Sequence, residues 1–308
     1  MADWIPADVR ARLKSLRLST RQAGAAQGFG LHSSRMRGAG LEFAQYRSYE
    51  PGDEPRQIDW KLYARSDRFF VREAERDAPL SLWLLIDASG SMGQSDAARP
   101  DWSRLSAACA IAACAIELAL RQGETFGMAA IGDGGIATLV ASGAGPRQRD
   151  RCLLELSRLR ARGGWPAQNT GATSATSLRA VWERVSAGAL VLMLSDFFDS
   201  AAVELAKKLC AARREVLSVQ ILCAAERDFA FAGGQLFVDP ETGAELLTDA
   251  PAARAKFLRA FSAAKNALAH ELAAGGIRHT AWVLDEPIDR PLAQFFSTRA
   301  SRLQPASR

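Results

Sequence analysis

The chain has 308 residues, 48% of them hydrophobic and 24% charged, proportions that exclude a generally disordered or low-complexity protein and allow one large domain with a sizeable core. The net charge of +5 is uneven: residues 1–50 hold eight Arg or Lys against four acids, and residues 299–308 hold three Arg and no acid. Basic ends suit solvation or an anionic partner, and charge alone is a weak case for nucleic-acid binding.

The opening residues, MADWIPADVRARLKS, lack the apolar core of a signal peptide. Residues 6–23 predict a basic, weakly amphipathic helix, and the Gly-, Ser- and Ala-rich stretch 24–40 a loop. A polar, aromatic, Arg-rich segment follows over 41–79, with a turn at EPGDEP and a strand at RFFVRE. From residue 80 apolar strands and helices alternate. PLSLWLLID (79–87) predicts a strand covered on both faces, and 104–123 a close-packing Ala- and Cys-rich helix stopped by Gly123. Strands at 125–132 and 136–141 flank an Asp-Gly-Gly hairpin turn. Next come a helix over 147–161, a Gly- and Thr-rich loop over 162–176, a helix over 177–187 and a strand over 189–196. A helix at 201–213, a strand at 215–223 and two short strands within 234–249 lead to a helix over 250–274. A strand at 277–284 and a helix from 288 to 301 close the pattern. Such alternation predicts an α/β fold with a mostly parallel sheet and right-handed crossovers.

The five cysteines include no CxxC pair, and His32, His270 and His279 are scattered. They read as reduced core thiols and argue against a zinc centre. The longest apolar helical run, 105–120, is shorter than a membrane span. The expectation is a soluble, cytoplasmic protein.

Ligands of open α/β sheets collect at the carboxyl ends of the strands. Three loops should meet there: Asp87, Ser89 and Ser91 after the first core strand; Thr170, Thr173 and Thr176 in the 162–176 loop; and Ser195-Asp196 with Asp199 after a later strand. Carboxylates and hydroxyls without sulfur or imidazole suit a hard divalent cation, Mg²⁺, Mn²⁺ or Ca²⁺. Few carboxylates leave such an ion short of negative charge and disposed to take an acidic side chain from a partner. Asp-x-Ser-x-Ser read alone also suits capping of a helix. Its position after a buried strand, with Leu-Ser-Asp ending another, favours the metal.

Asp87-x-Ser89-x-Ser91 after an apolar strand resembles the metal-ion-dependent adhesion site of von Willebrand factor A-like domains. The resemblance implies a doubly wound, mostly parallel sheet and two further ligands. Asp196 is the aspartate. Thr176, from its spacing into TSLRAVW, is the threonine, with Thr173 as the alternative; Ser174-Ala175-Thr176 stands where that family has Gly-Gly-Thr.

The polar segment contains Gly40-x-Glu42-Phe43, Arg47-x-Tyr49, Gly52-Asp53, Arg56-x-Ile58-Asp59-Trp60-Lys61, Ala64-Arg65 and Val71-Arg72-Glu73. This series resembles the bacterial "domain of unknown function 58" family, whose members carry it just ahead of a von Willebrand A-like domain. DPETGAELL and DEPIDRPLAQFFSTR resemble that family's closing hairpin and helix. The implied organisation is a basic extension (1–39), a polar strand and turn segment packed on the sheet (40–79), the A-like domain (80–302) and a tail (303–308). Arg47, Tyr49, Asp53, Arg56, Asp59, Trp60 and Arg65 are candidates for a structural clasp or a docking surface. The resemblance also implies an adaptor working with a MoxR-type AAA+ ATPase in assembly or maturation of a client. The function expected is therefore a metal-dependent protein-interaction module and not an enzyme. The alternative is a Mg²⁺-dependent hydrolase or phosphatase on the same cation, and no Walker A or dinucleotide fingerprint is present.

Overall fold

The structure, a computed structural model, describes residues 4–20, 43–49, 58–74, 80–166 and 178–297. Of the helix expected over 6–23, residues 21–23 lie outside the described residues, and the described residues 6–20 form only α1 (Ala7–Leu13). It ends because Leu16 and Leu18, two residues apart, are both buried, a spacing that an extended chain meets and one helix face does not. Gln122 pins this extension: its Oε1 accepts from the Leu18 N–H at 3.0 Å and its Nε2 donates to the Leu16 carbonyl at 3.2 Å. Arg12 donates from Nε and Nη2 to Asp289 at 2.7 and 2.8 Å.

The described residues 43–49 and 58–74 belong to a compact unit of their own. In it β1 (Phe43–Ser48) pairs antiparallel with β2 (Phe70–Ala74), and α2 (Trp60–Ser66) lies between them in sequence. Asp59 caps α2, accepting from the Lys61 and Leu62 N–H groups at 3.0 and 3.1 Å.

The remaining described elements run, in order, β3 (Ser81–Asp87), α3 (Arg104–Gln122), β4 (Thr125–Gly132), β5 (Gly135–Gly143), α4 (Gly145–Arg158), α5 (Arg179–Arg184) and β6 (Leu190–Ser195). Then come α6 (Ser200–Ala211), β7 (Glu215–Leu222), α7 (Ala224–Asp228), β8 (Gly234–Val238), β9 (Glu245–Asp249), α8 (Ala250–Ala274), β10 (Arg278–Val283) and α9 (Arg290–Phe296). The six-stranded sheet has the order β10-β7-β6-β3-β4-β5, parallel except for β5. Counting outward from β3, this is the doubly wound, von Willebrand factor A-like arrangement expected from the sequence.

Alternation along β3 divides the core. Leu82, Leu84 and Ile86 face one layer, with α1, α3, α4 and α9; Trp83 and Leu85 face the other, with α5, α6 and α8. Fully burying each such side chain contributes about 1.5–3 kcal/mol. α3 starts where Ser103 Oγ accepts from the Ser106 N–H at 3.1 Å and ends at Gly123, whose φ of +74° suits a glycine cap. It is long and apolar enough to cross a membrane by length and composition, but in this fold most of it is buried. The β4–β5 turn has positive φ at Asp133 and Gly134, 52° and 74°, as a tight hairpin requires. Four of the five free cysteines are buried, and Cys210 is partly exposed.

Candidate metal site

β3 lies between β4, its successor in the chain, and β6, reached after β5 at the sheet edge. The strand order reverses between β3 and β6, where open α/β sheets form their ligand crevice. Parallel register pairs Ile86 with Leu194, so Asp87 and Ser195 come next, side by side. Ser195 Oγ donates to Asp87 Oδ2 at 2.6 Å and accepts from the Phe197 N–H at 2.9 Å. Phe197 takes a positive φ of 56°, a strained conformation for a bulky residue, in the turn that carries Asp196.

Asp87 is buried, and its hydrogen-bond donors are all neutral: the Ser89 N–H to Oδ1 at 2.9 Å, the Trp165 Nε1–H to Oδ2 at 2.9 Å, and Ser195. Burial first, then the Asp196 carboxylate nearby, push its pKa up to about 6, against the lowering hydrogen bonds from Ser195 and Ser89. Ser89 and Ser91 are buried, with their hydroxyl oxygens 3.1 Å apart. Neighbouring ligands of an octahedral ion with bonds of about 2.1 Å lie about 3 Å apart. Oxygen donors, that spacing and a buried carboxylate without a cationic donor fit a hard divalent cation. Asp87, Ser89, Ser91 and Asp196 would hold it. Among the described residues no three His, Cys, Asp or Glu side chains cluster as a metal-binding group, so this set rests on hydroxyls beside two carboxylates.

Asp196 is also engaged by an arginine. Arg104 Nη1 donates to Asp196 Oδ2 and to the Ser91 carbonyl, each at 3.0 Å, and Nη2 pairs with Glu226. The guanidinium is buried, its Nε has no hydrogen-bond partner, and it lies over the Phe198 ring at 5.1 Å. Asp196 Oδ1 accepts from the Phe198 N–H at 3.1 Å, and Gln220 Nε2 donates to the Asp196 carbonyl at 3.0 Å. Arg104, Glu226 and Trp165 were not anticipated from the sequence. One signal existed: an arginine in the first turn of an apolar helix opposes the helix dipole, so a buried acid should be holding it. Asp199, grouped with the site by sequence, instead caps α6 by accepting from the Ala201 N–H at 2.7 Å.

Thr170, Thr173 and Thr176 lie outside the described residues. The start of their loop is laced to the loop that follows β3. The Arg162 N–H donates to the Ala88 carbonyl at 2.9 Å, and the Gly90 N–H to the Gly163 carbonyl at 2.7 Å. Gly132 has no room for a side chain: an added Cβ would sit 2.6 Å from the Ala88 carbonyl oxygen. Gly132→Ala is therefore expected to lower stability by about 1–3 kcal/mol in urea unfolding, through displaced backbone beside Ser89. An unchanged midpoint would show that the loop yields freely.

Of the candidate clasp residues, Asp53 and Arg56 lie outside the described residues, Arg47 falls on β1, and Arg65 is exposed on α2. Asp59 is the α2 cap, a structural role. Tyr49 and Trp60 pack on Phe69, with ring centroids 6.2 and 6.3 Å away, and Tyr63 stacks on Phe69 at 4.4 Å. These contacts make an aromatic cluster around α2.

The family model described as "Protein of unknown function DUF58" matches residues 45–267. Uncharacterized proteins of Mycobacterium tuberculosis (strain H37Rv) and Mycobacterium bovis are each 29% identical over 255 residues, spanning 82% of this chain and 78% of the relative. Among solved structures, an aerotolerance-related membrane protein from Bacteroides fragilis has a TM-score of 0.43 at 14% identity, covering 69% of this chain and 94% of the other. The SpRpn10 VWA domain has a TM-score of 0.38 at 13% identity, covering 70% and 95%. The conserved hypothetical protein BatB from Bacteroides thetaiotaomicron has a TM-score of 0.36 at 14% identity, covering 64% and 98%.

Proposed function

The chain belongs to the DUF58 family, and from that premise we propose that it is a metal-dependent protein-interaction module. In this reading a divalent cation, most simply Mg²⁺, sits among Asp87, Ser89, Ser91, Asp196 and a threonine of the 162–176 loop, Thr176 or Thr173. When bound, the ion supplies a positive charge that can take a carboxylate from a partner. The chain's own residues prepare that act. Trp165 and Ser195 fix the Asp87 carboxylate, and Arg104 limits the negative charge left at Asp196. The observation that carries the reading is Asp87 itself, a buried carboxylate whose donors are all neutral. Such a group is costly unless a charge outside the chain completes it.

We place the protein in the cytoplasm, where buried reduced thiols persist, as an adaptor for a MoxR-type AAA+ ATPase. That partner rests on family resemblance. A hydrolase on the same ion would need a general base, and the nearby carboxylates Asp196 and Glu226 are engaged by Arg104.

Calorimetric titration with Mg²⁺ and Mn²⁺ tests the site. Asp87→Asn is expected to weaken the cation by about 100-fold or more, since a ligand carboxylate contributes more than the outer groups that orient it. ATPase capture should fall in parallel and fall in EDTA. Capture unchanged by both treatments would remove the metal from the function.

A further inference from the structure

We propose that the cleft between the cation site and the β8–β9 hairpin is a groove for an extended partner segment carrying leucine-like and lysine or arginine side chains. This deepens the proposed interaction function by stating the chemistry of the partner.

The cleft has a volume of about 800 Å³. Ser91, Arg104 and Phe198 lie on the cation-site side, and Val238, Glu245 and Leu246 on the hairpin side. The hairpin is anchored by one face. Phe237 packs on Phe229 and Phe231, with centroids 5.9 and 5.4 Å away, and Phe229 stacks on Phe257 of α8 at 4.3 Å. That anchoring does not use the other apolar side chains. Leu246 is 63% exposed, and Phe198, across the cleft, is 54% exposed. Leu236 and Leu247, opposite each other in register, are exposed on the other face of the hairpin, outside the cleft. Strand edges bearing exposed leucines are normally covered or charged.

The charge of the cleft selects the occupant. Among the described residues its one cation, Arg104, is buried and held by Asp196 and Glu226. Glu241 and Glu245 are exposed and make no ion pair among the described residues. The accessible charge on the hairpin is therefore negative and lies beside apolar surface, which favours a segment that is both basic and apolar. The same wall touches the metal loop: a Cβ added at Gly90 would lie 2.9 Å from the Pro240 carbonyl oxygen. A segment on the hairpin would thus run directly past the cation.

The test is fluorescence anisotropy of the full chain with three labelled synthetic nonapeptides: alternating Leu and Lys, alternating Leu and Glu, and alternating Ser and Lys. In EDTA, where no cation can take the glutamates of the second peptide, the Leu/Lys peptide is expected to bind at least about tenfold tighter than either other, and to weaken at least about tenfold with Glu241→Lys/Glu245→Lys and with Leu246→Ser. All three substitutions are at exposed positions, so circular dichroism and melting should match the parent. Each titration is run in Mg²⁺ and in EDTA. A preference that persists in EDTA yet disappears in the hairpin variants supports the groove, whatever becomes of the cation reading. Equal binding of the Leu/Glu peptide in EDTA, parent-like binding by the hairpin variants, or no binding by any peptide overturns it. So does a concentration-dependent dimer in sedimentation that the hairpin substitutions abolish, because the occupant would then be a second copy of the chain.

Discussion

Replacing Arg104 with leucine is expected to lower the unfolding free energy by about 3–5 kcal/mol, because it leaves two carboxylates without their shared partner. Arg104 is 1% exposed and Asp196 is 1% exposed, so neither water nor salt can take over the role of the guanidinium. Glu226 is held from its other oxygen by the Cys223 N–H at 2.8 Å and cannot simply swing into solvent. Removing the charges together should cost far less. Arg104→Leu combined with Asp196→Asn and Glu226→Gln is expected to regain most of the loss, since a buried ion network is dear to break but replaceable by neutral groups. Urea unfolding in EDTA of the parent, the single and the triple variant measures this directly. A loss below about 1 kcal/mol for the single variant would mean that the network is not closed as described.

Acid should destabilise the fold through His279, by about 3 kcal/mol between neutral pH and pH 4. Burial lowers its pKa from 6.5 to about 4. The ring accepts or donates one hydrogen bond with Ser218 Oγ, at 2.9 Å from Nδ1, and stands edge-on to Phe197, while Nε2 is buried without a partner. A folded pKa below the unfolded one means that the native state favours the neutral ring. The stability it contributes is complete above pH 6.5, declines as pH falls toward 4, and is gone below that; each pKa unit corresponds to about 1.4 kcal/mol. Carboxylates titrate in the lower part of this window too, so the informative quantity is the difference between the parent and His279→Leu. The variant should be the less pH-sensitive of the two between pH 6.5 and 4, and parallel curves would refute the assignment.

Strand and helix placement was legible because burial imposes a period. The run 79–87 reads as a two-faced strand from composition alone, and α8 occupies the predicted 250–274. The turn at Asp133-Gly134 and the stop at Gly123 were legible for a different reason: positive φ is open to few residues. The α1 helix was overextended because periodicity cannot tell a weak amphipathic helix from a chain that leaves the helix to bury Leu16 and Leu18. The α2 helix was missed inside a run of charges, where Asp59 looked like a clasp member and serves as a cap.

The sequence by itself determined the mostly parallel α/β sheet and the aspartates at the ends of β3 and β6, since strand period and crossover handedness are local or topological properties, while the doubly wound arrangement was what the family resemblance implied. Only the tertiary structure decided what surrounds those aspartates. Trp165, Arg104 and Glu226 lie 78, 17 and 139 positions from Asp87, and no periodicity links them; packing of separate loops over one crevice brings them together. Electrostatics at a buried site is a sum over such neighbours. The same Asp87 would be an ordinary helix cap on the surface; here it is a carboxylate short of a positive charge.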